Sequence, residues 1–215
     1  KSAWHAVGVR LGSFLLWCNK PYSRGTVGLT SSDPYAEPDV AFEMLSDRRD
    51  MDRMTDGVRR MANLFNDPAL AAVARDPFPS SYSERVRRIG AVTTRNRILT
   101  SILGALMDCP GPIRRAAIHG FITQGATLAR MLKDKDEMEE FVRDGVSGCW
   151  HPSGTCRMGR ADDPLAVTDP SGRVYGVQNL RVCDASLMPC VPRANTNIPT
   201  MMMAEKVSDA VLSKA

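Results

Sequence analysis

The spacing of apolar residues divides the chain into a strand-like beginning, a helical middle and a final part of short segments. Apolar and polar residues partly alternate over 6–11, and an aromatic and aliphatic run follows at 13–17. Turn residues then precede a return strand at 26–30. Residues 31–38 hold two prolines and two acids, which predicts a loop. We therefore expect antiparallel strands between residues 4 and 30.

Apolar residues in the middle of the chain recur at helical spacing. Ser46 is expected to be the N-cap of a helix that ends near Asn66 and presents one apolar stripe. The stripe consists of Met51, Met54, Val58, Met61 and Phe65. A short helix is expected over 69–75 and another over 134–144. The stretch 83–135 is rich in arginine but poor in aromatic residues, which favours a solvated helical face over a nucleic-acid groove.

Short apolar segments, separated by Gly, Pro, Asp and Asn, follow residue 149. Residues 174–177 and 180–183 are strand-like, with a turn at 178–179 between them. A last helix is expected to open at 197–200. This order predicts an α+β fold, with helices over about 46–145 and antiparallel strands from 4–30 and from near 147–159.

Composition places the chain among ordinary globular proteins. It has 215 residues, of which 43% are hydrophobic and 24% charged, and this excludes a disordered chain. A net charge of +4 is too small to indicate binding to nucleic acid. We expect no membrane span, because no apolar run approaches the roughly 18 residues that one needs. Six irregularly spaced cysteines and no expected secretory signal predict free thiols, Cys149 and Cys156 included, in a reducing, cytoplasmic setting.

The chain has three histidines, and one of them lies where chemistry is most plausible. His5 and His119 are expected to be ordinary core or surface residues. His151 lies in the Gly- and Pro-rich stretch CWHPSGTCRMG at 149–159, where an irregular backbone can bring it close to a ligand. An imidazole titrates near neutrality and can take a proton from a substrate.

Two other interpretations of this stretch stay open on the residues alone. The first is a zinc site formed by Cys149, His151, Cys156 and Cys183. Only Cys149 and His151 have the close spacing that is usual for zinc ligands, so this signal is weak. The second interpretation is a packed loop without chemistry.

Three ordered motifs favour catalysis. They are HPSGTCRMG at 151–159, NLRVCDASLMP at 179–189 and NTNIPTMMMAEK at 195–206. They closely resemble the C-terminal signature of the glucose–methanol–choline (GMC) flavoprotein oxidoreductases, and three motifs in order are far more specific than one. The segment SRGTVGLTSSDP at 23–34 also resembles the start of that family's substrate domain.

The resemblance implies a reaction in which FAD takes a hydride from an alcohol. It implies that His151 is the base that accepts the hydroxyl proton. The partner position, which the family fills with His or Asn, falls on Asn195, whose amide would hydrogen-bond the substrate oxygen. Trp150 before the base, and Asn at position 195, resemble oxidases of aryl or furanic alcohols more than glucose oxidases. Choline enzymes also have Asn there, but no aromatic and carboxylate cage for choline is identified in the sequence.

The resemblance also implies a set of residues that contact FAD. Asp184 and Ala185 match positions that line the cofactor. Asn197, Pro199 and Thr200 match the start of a helix that faces the pyrimidine end of the flavin ring. A helix N-terminus offers unpaired N–H groups and a partial positive charge, which suits the negative charge of reduced flavin. The metal prediction is none.

The family's FAD-binding Gly-x-Gly-x-x-Gly motif is not found in this sequence, which begins with Lys1. We therefore expect the C-terminal portion of a longer enzyme. Residues 1–158 would be most of a substrate-binding domain, and 159–215 the C-terminal part of the FAD-binding domain. The expected partners are an alcohol, O2 or another electron acceptor, and the enzyme's N-terminal FAD-binding half, which holds most of the FAD site. A stable, non-catalytic fragment that binds no flavin is the alternative, and a zinc-binding interaction module is a third.

Overall fold

The computed structural model describes residues 3–81 and 84–213, which form two compact units. One unit consists of Lys1–Trp17 and Asp47–Ser147, and the other of Cys18–Ser46 and Gly148–Ala215. Some ends of the segments predicted from the sequence lie outside the described residues, namely Lys1, Ser83 and Ala215. The division into a substrate domain and an FAD-domain part stays a prediction.

The first unit is helical, as the periodicity of its middle part predicted. Its elements, in chain order, are α1 (His5–Gly8), α2 (Arg48–Leu64), α3 (Pro68–Val73), α4 (Glu84–Gly90), α5 (Thr94–Met107), α6 (Gly111–Ala117), a π-helical segment (Ile118–Thr123), α7 (Leu128–Lys133) and α8 (Lys135–Gly145). The helices expected over 69–75 and 134–144 are confirmed as α3 and α8, within a residue or two of their predicted ends.

A buried apolar cluster joins α1 to α5 and α6. Its members are Val7, Leu103, Met107 and Ala117. The helices α1 and α5 approach so closely that a Cβ atom on Gly104 would lie 2.9 Å from the carbonyl oxygen of Ala6. The buried hydroxyl of Thr100 donates a 2.6 Å hydrogen bond to the carbonyl of Ala3. These contacts fix residues 3–8 on the side of α5.

The strands predicted over 6–17 are wrong. Residues 5–8 form helix α1, and 9–17 form no regular strand. The physical reason is a spacing of four: Val7 is buried four residues after buried Ala3, and Leu11 packs against the same cluster. The aromatic run that follows packs at the end of α2, because the ring of Phe14 meets edge-on, at 5.7 Å, the ring of Phe65, which follows that helix.

Helix α2 begins one residue later than predicted. Its N-cap is Asp47, not Ser46, because the Asp47 carboxylate accepts a 2.9 Å hydrogen bond from the backbone N–H of Arg49. The Arg49 guanidinium also donates to this carboxylate, and the two bonds lower the pKa of Asp47 from 3.8 to about 2. The predicted stripe faces inward, with Met51 buried and its other members half-buried, and the helix ends before Phe65.

In the second unit, β1 (Thr26–Gly28) pairs antiparallel with β2 (Asp39–Ala41). The return strand at 26–30 and the loop at 31–38 are therefore confirmed, but the partner strand follows the loop instead of preceding it. Beyond residue 148, the described residues pair only by single bridges. These bridges join Met158 to Thr168 in parallel, and Thr168 to Val174 and Arg173 to Arg181 in antiparallel fashion.

The antiparallel strands predicted near 147–159 are thus wrong, because only a parallel bridge at Met158 forms there. Frequent Gly and Pro residues interrupt the ladder in this region. The turn at 178–179 and the last helix are confirmed, the latter as α9 (Asn197–Leu212). A 3₁₀ turn (Ala185–Leu187) precedes it. Helices and a small antiparallel sheet together give the expected α+β class.

None of the helices within 3–81 and 84–213 combines the length and the apolarity that crossing a bilayer requires.

Candidate active site

The loop that carries His151 is anchored by backbone hydrogen bonds to the 3₁₀ turn at 185–187. Alternate residues of the loop donate to successive carbonyls of the turn: Gly154 to Ala185 at 3.3 Å, Cys156 to Ser186 at 3.1 Å, and Met158 to Leu187 at 2.8 Å. Leu187 is fully buried. The hydroxyl of Thr168, which is also fully buried, donates to the carbonyl of Cys156 at 3.2 Å. An irregular backbone is therefore held in one conformation next to His151.

Two residues of this loop adopt left-handed backbone conformations. Gly154 has φ +86°, and a Cβ atom there would lie 3.1 Å from the carbonyl oxygen of Met188, so glycine is the residue that fits. Trp150 has φ +62°, which is a strained conformation for a bulky residue, and 93% of its surface is exposed. The residue just before His151 is thus an aromatic side chain held in solvent at a backbone cost.

The structure brings His151 and Asn195 together. The Nε2 atom of His151 lies 3.3 Å from Oδ1 of Asn195. The other ring nitrogen, Nδ1, lies 3.1 Å from Oγ1 of Thr196. His151 is half-buried, Asn195 is exposed and Thr196 is buried. An imidazole nitrogen and an amide therefore face each other on a side that a ligand can reach, and their catalytic roles stay predictions.

This geometry suits a ligand that carries one hydroxyl group. A neutral imidazole can accept a proton at one nitrogen, and an amide can both donate and accept hydrogen bonds. An oxygen placed against both side chains would meet the proton acceptor and an orienting group together.

Helix α9 begins immediately after these residues. Its N-cap residue, Thr196, gives the helix no side-chain cap. The backbone carbonyl of Thr196 accepts hydrogen bonds from the N–H of Thr200 at 2.9 Å and from the Thr200 hydroxyl at 2.7 Å. The N–H groups of Asn197 and Ile198 precede the first bond within the helix, and both residues are exposed. These donors and the helix dipole fit the negatively charged end of a ligand.

The remaining residues predicted to contact the cofactor have roles in local structure. The Asp184 carboxylate caps the 3₁₀ turn by accepting from the N–H of Ser186 at 2.8 Å and from its hydroxyl at 2.5 Å. Ala185 accepts from Gly154 through its carbonyl. Pro199 is half-buried and has no N–H to donate. Contact of these residues with a cofactor stays a prediction.

The cysteines do not gather around His151. Cys149 and Cys183 are exposed, Cys156 is half-buried, and none of the six is in a disulfide. Within the described ranges, no three side chains of the His, Cys, Asp and Glu types lie close enough to share a metal ion. The oxidation state of the thiols stays a prediction.

The other two histidines lie in the helical unit. His5 is exposed at the start of α1, and His119 Nδ1 lies 3.3 Å from the Thr123 hydroxyl. Sequence reasoning missed one residue of the site, Thr196. Its position just before a helix indicates a capping hydroxyl, and only the fold directs this hydroxyl towards His151.

A family model described as GMC oxidoreductase matches residues 21–204. This match covers most of the chain, which therefore belongs to the GMC oxidoreductase family. The resemblance found in the three motifs is confirmed.

Two curated relatives show the level of similarity. The chain is 40% identical over 205 residues to a 5-(hydroxymethyl)furfural oxidase from Methylovorus sp. (strain MP688), an alignment that covers 95% of this chain and 32% of the relative. It is 33% identical over 189 residues to the oxygen-dependent choline dehydrogenase 1 of Chromohalobacter salexigens, covering 88% of this chain and 25% of the relative. The chain thus spans between a quarter and a third of the length of these relatives.

Solved structures of the family share the fold. A formate oxidase variant from Aspergillus oryzae, studied for its FAD modification, superposes with a TM-score of 0.63 at 22% identity, covering 90% of this chain and 26% of that one. A fungal aryl-alcohol oxidase gives a TM-score of 0.55 at 24% identity, covering 91% and 24%. The GMC-type fold expected from the sequence is confirmed.

Proposed function

We propose that this chain is the C-terminal part of an FAD-dependent alcohol oxidase or dehydrogenase, with His151 as its base. One observation carries the proposal: Nε2 of His151 faces Asn195 at 3.3 Å, on a reachable surface, in a chain of the GMC family. When bound, FAD supplies the acceptor for the hydride of the alcohol. Residues 1–158 would contribute most of the substrate domain and 159–215 the end of the FAD domain.

His151 would move the proton. The alcohol loses the proton of its hydroxyl group to the base and a hydride, from the carbon that bears this group, to the flavin, and the carbon–oxygen bond becomes double. The proton is taken by Nε2 of His151, the nitrogen that faces Asn195. A positioned base of this kind typically contributes about 10² to 10⁴ in rate.

Asn195 would hold the substrate oxygen. A half-turn of its amide group presents the NH₂ group instead of Oδ1, so the same side chain can donate to an alcohol oxygen and later to a carbonyl oxygen. Because Asn195 immediately precedes buried Thr196, the amide is carried by a fixed backbone. It orients the substrate and takes no proton.

The N-terminus of α9 would hold the negative end of the flavin ring. The uncapped N–H groups of Asn197 and Ile198 supply donors there, and Pro199 and Thr200 complete the first turn. Asp184 and Ala185 would lie along the cofactor. The partners are the N-terminal FAD-binding half of the enzyme and an electron acceptor, O2 or another.

Similarity favours an aryl or furanic alcohol as substrate. The 40% identical relative is a 5-(hydroxymethyl)furfural oxidase, and Trp150 offers a large exposed aromatic surface beside His151. Choline is the second candidate, because oxygen-dependent choline dehydrogenases are also relatives, at 33% identity and below. A quaternary ammonium needs an aromatic and carboxylate cage, and Trp150 alone supplies only one aromatic wall.

Anaerobic stopped-flow reduction of the flavin in the complete enzyme tests the assignment. His151→Ala is expected to slow reduction by about 10² to 10⁴ while FAD stays bound. Asn195→Ala should slow it less, because it removes an orienting hydrogen bond and leaves the base. His119→Ala, a histidine of the helical unit, is the matched control and should reduce at the normal rate. Near-normal reduction with His151→Ala contradicts the proposal.

The isolated chain offers a simpler test of the alternative, a stable fragment that binds no flavin. The chain spans 32% and 25% of the length of the two curated relatives described above, so most of the FAD site would lie elsewhere. A colourless purified chain supports this alternative for the isolated polypeptide, whereas a yellow one shows bound oxidised flavin. Stoichiometric zinc in elemental analysis would support a zinc module instead.

A further inference from the structure

Thr196 does not use its hydroxyl in the way that its position suggests. Threonine at an N-cap ordinarily accepts a hydrogen bond from an N–H of the first turn. Thr93 does this for α5, accepting from Asn96 at 3.1 Å, and Thr127 does it for α7. Thr196 precedes the longer helix α9 but makes no side-chain cap, and its backbone is already helical, at φ −78° and ψ −13°.

The hydroxyl of Thr196 contacts the imidazole instead. Its Oγ1 lies 3.1 Å from Nδ1 of His151, and Thr196 is only 9% exposed. Asn195 is the next residue back and contacts the other nitrogen of the same ring, at 3.3 Å. Two consecutive residues therefore hold the two nitrogens of His151, one from a buried side and one from an exposed side.

We propose that Thr196 is a positioning residue that fixes the orientation and the tautomer of His151. This inference rests on the proposed function for its consequence, but its geometry is independent of any cofactor. The hydrogen bond made by one imidazole nitrogen decides which nitrogen carries the proton. When the Thr196 hydroxyl accepts from Nδ1–H, the neutral ring keeps its lone pair on Nε2, and a half-turn of the Asn195 amide then presents its NH₂ group to that lone pair instead of Oδ1.

The same arrangement suits the ring after it has gained a proton. The imidazolium ion donates from both nitrogens. Oγ1 of Thr196 and Oδ1 of Asn195 then accept the two N–H groups without movement of the ring. Thr196 thus supports both forms of His151 from the buried side, at the ring nitrogen opposite the one that faces Asn195.

Nitrogen NMR of the 215-residue chain labelled with ¹⁵N-histidine tests this directly, because the chain has only three histidines. At a pH where imidazole is neutral, His151 should show a protonated Nδ1 and a bare Nε2. Thr196→Val keeps the shape of the side chain and removes the hydroxyl, so the Nδ1–H population should fall. Thr196→Ser keeps the hydroxyl and should restore the normal spectrum.

Thr93→Val is the matched control. It removes a hydroxyl that does cap a helix, so it should lower the melting temperature and leave the His151 resonances unchanged. Thr196→Val should alter the His151 resonances and leave the melting temperature unchanged. A merely structural role for Thr196 predicts lower stability with unaltered His151 resonances, and that outcome overturns the proposal, as does a wild-type ring that is protonated on Nε2.

The complete enzyme supplies a second measurement. Thr196→Val is expected to lower the limiting rate of flavin reduction by about 10- to 100-fold, the size of effect seen when a metal-bound imidazole loses the group that orients it. KM should change little, and Thr196→Ser should recover the rate. If the NMR changes occur but His151→Ala reduces flavin normally, the positioning contact stands and the proposed function fails. If His151→Ala is slow but the NMR spectra are unchanged, only the positioning inference fails.

Discussion

The Oδ1 atom of Asn195 lies 3.3 Å from Nε2 of His151, although 44 positions separate the two residues in the sequence. Between these two residues the chain is held in place by backbone hydrogen bonds from the loop at 151–159 to the 3₁₀ turn at 185–187. Helix α9 then begins two residues after Asn195. The pair is therefore fixed by backbone contacts on both sides.

Gly154→Ala is expected to destabilise the protein. The left-handed φ of +86° costs a residue with a Cβ atom about 1–2 kcal/mol, and the new Cβ would press on the Met188 carbonyl at 3.1 Å. Urea unfolding measures the change in the free energy of unfolding. Gly148→Ala is the control, because a Cβ there meets nothing within 4 Å. Equal stabilities of the two variants would contradict the prediction.

Trp150→Gly and Trp150→Ala separate backbone strain from aromatic contact. Trp150 has φ +62°, which alanine retains with strain and glycine adopts freely, so the glycine variant should be more stable by about 1 kcal/mol in urea unfolding. In the complete enzyme, both variants should raise KM for an aryl or furanic alcohol, since both remove the exposed indole. An unchanged KM in both variants removes Trp150 from the substrate site.

Asp47→Asn tests the acid stability of helix α2. Hydrogen bonds to the Arg49 side chain and backbone lower the pKa of Asp47 from 3.8 to about 2 in the folded protein. A lowered folded-state pKa contributes stability that is present above pH 3.8 and is lost as the pH falls through about 2. Wild type should therefore melt at a higher temperature than Asp47→Asn at neutral pH. The difference in melting temperature should disappear as the pH falls from 3.8 to about 2. A gap that is constant with pH would show that the carboxylate charge is unimportant.

The sequence allowed helix α2 to be predicted but not helix α1. Helix α2 has 17 residues and a stripe that repeats over its whole length, so local spacing determines it. Helix α1 has only four residues, and it is stabilised by contacts of Val7 with Leu103 and Met107, which are about a hundred positions away. A pattern in nearby residues cannot reveal such a partner.

Some residues of the site could also be predicted from the sequence, and one could not. His151 and Asn195 could be named because they lie in motifs of the family, and the structure places them side by side. Thr196 could not be named, since a threonine before a helix ordinarily indicates a cap. Its contact with His151 depends on how the loop at 151–159 returns to the start of α9, which no local pattern encodes.

During synthesis, the first unit is completed before the second. The chain enters the second unit at Cys18, leaves it after Ser46 and returns at Gly148. On the ribosome, every residue of the helical unit therefore emerges before Gly148, whereas β1 and β2 must wait for the rest of their unit. Asn195 appears 44 residues after His151. We expect a nascent chain of which only the first 150 residues have left the ribosome to protect the Val7 cluster from proteolysis while the surroundings of His151 are still unformed.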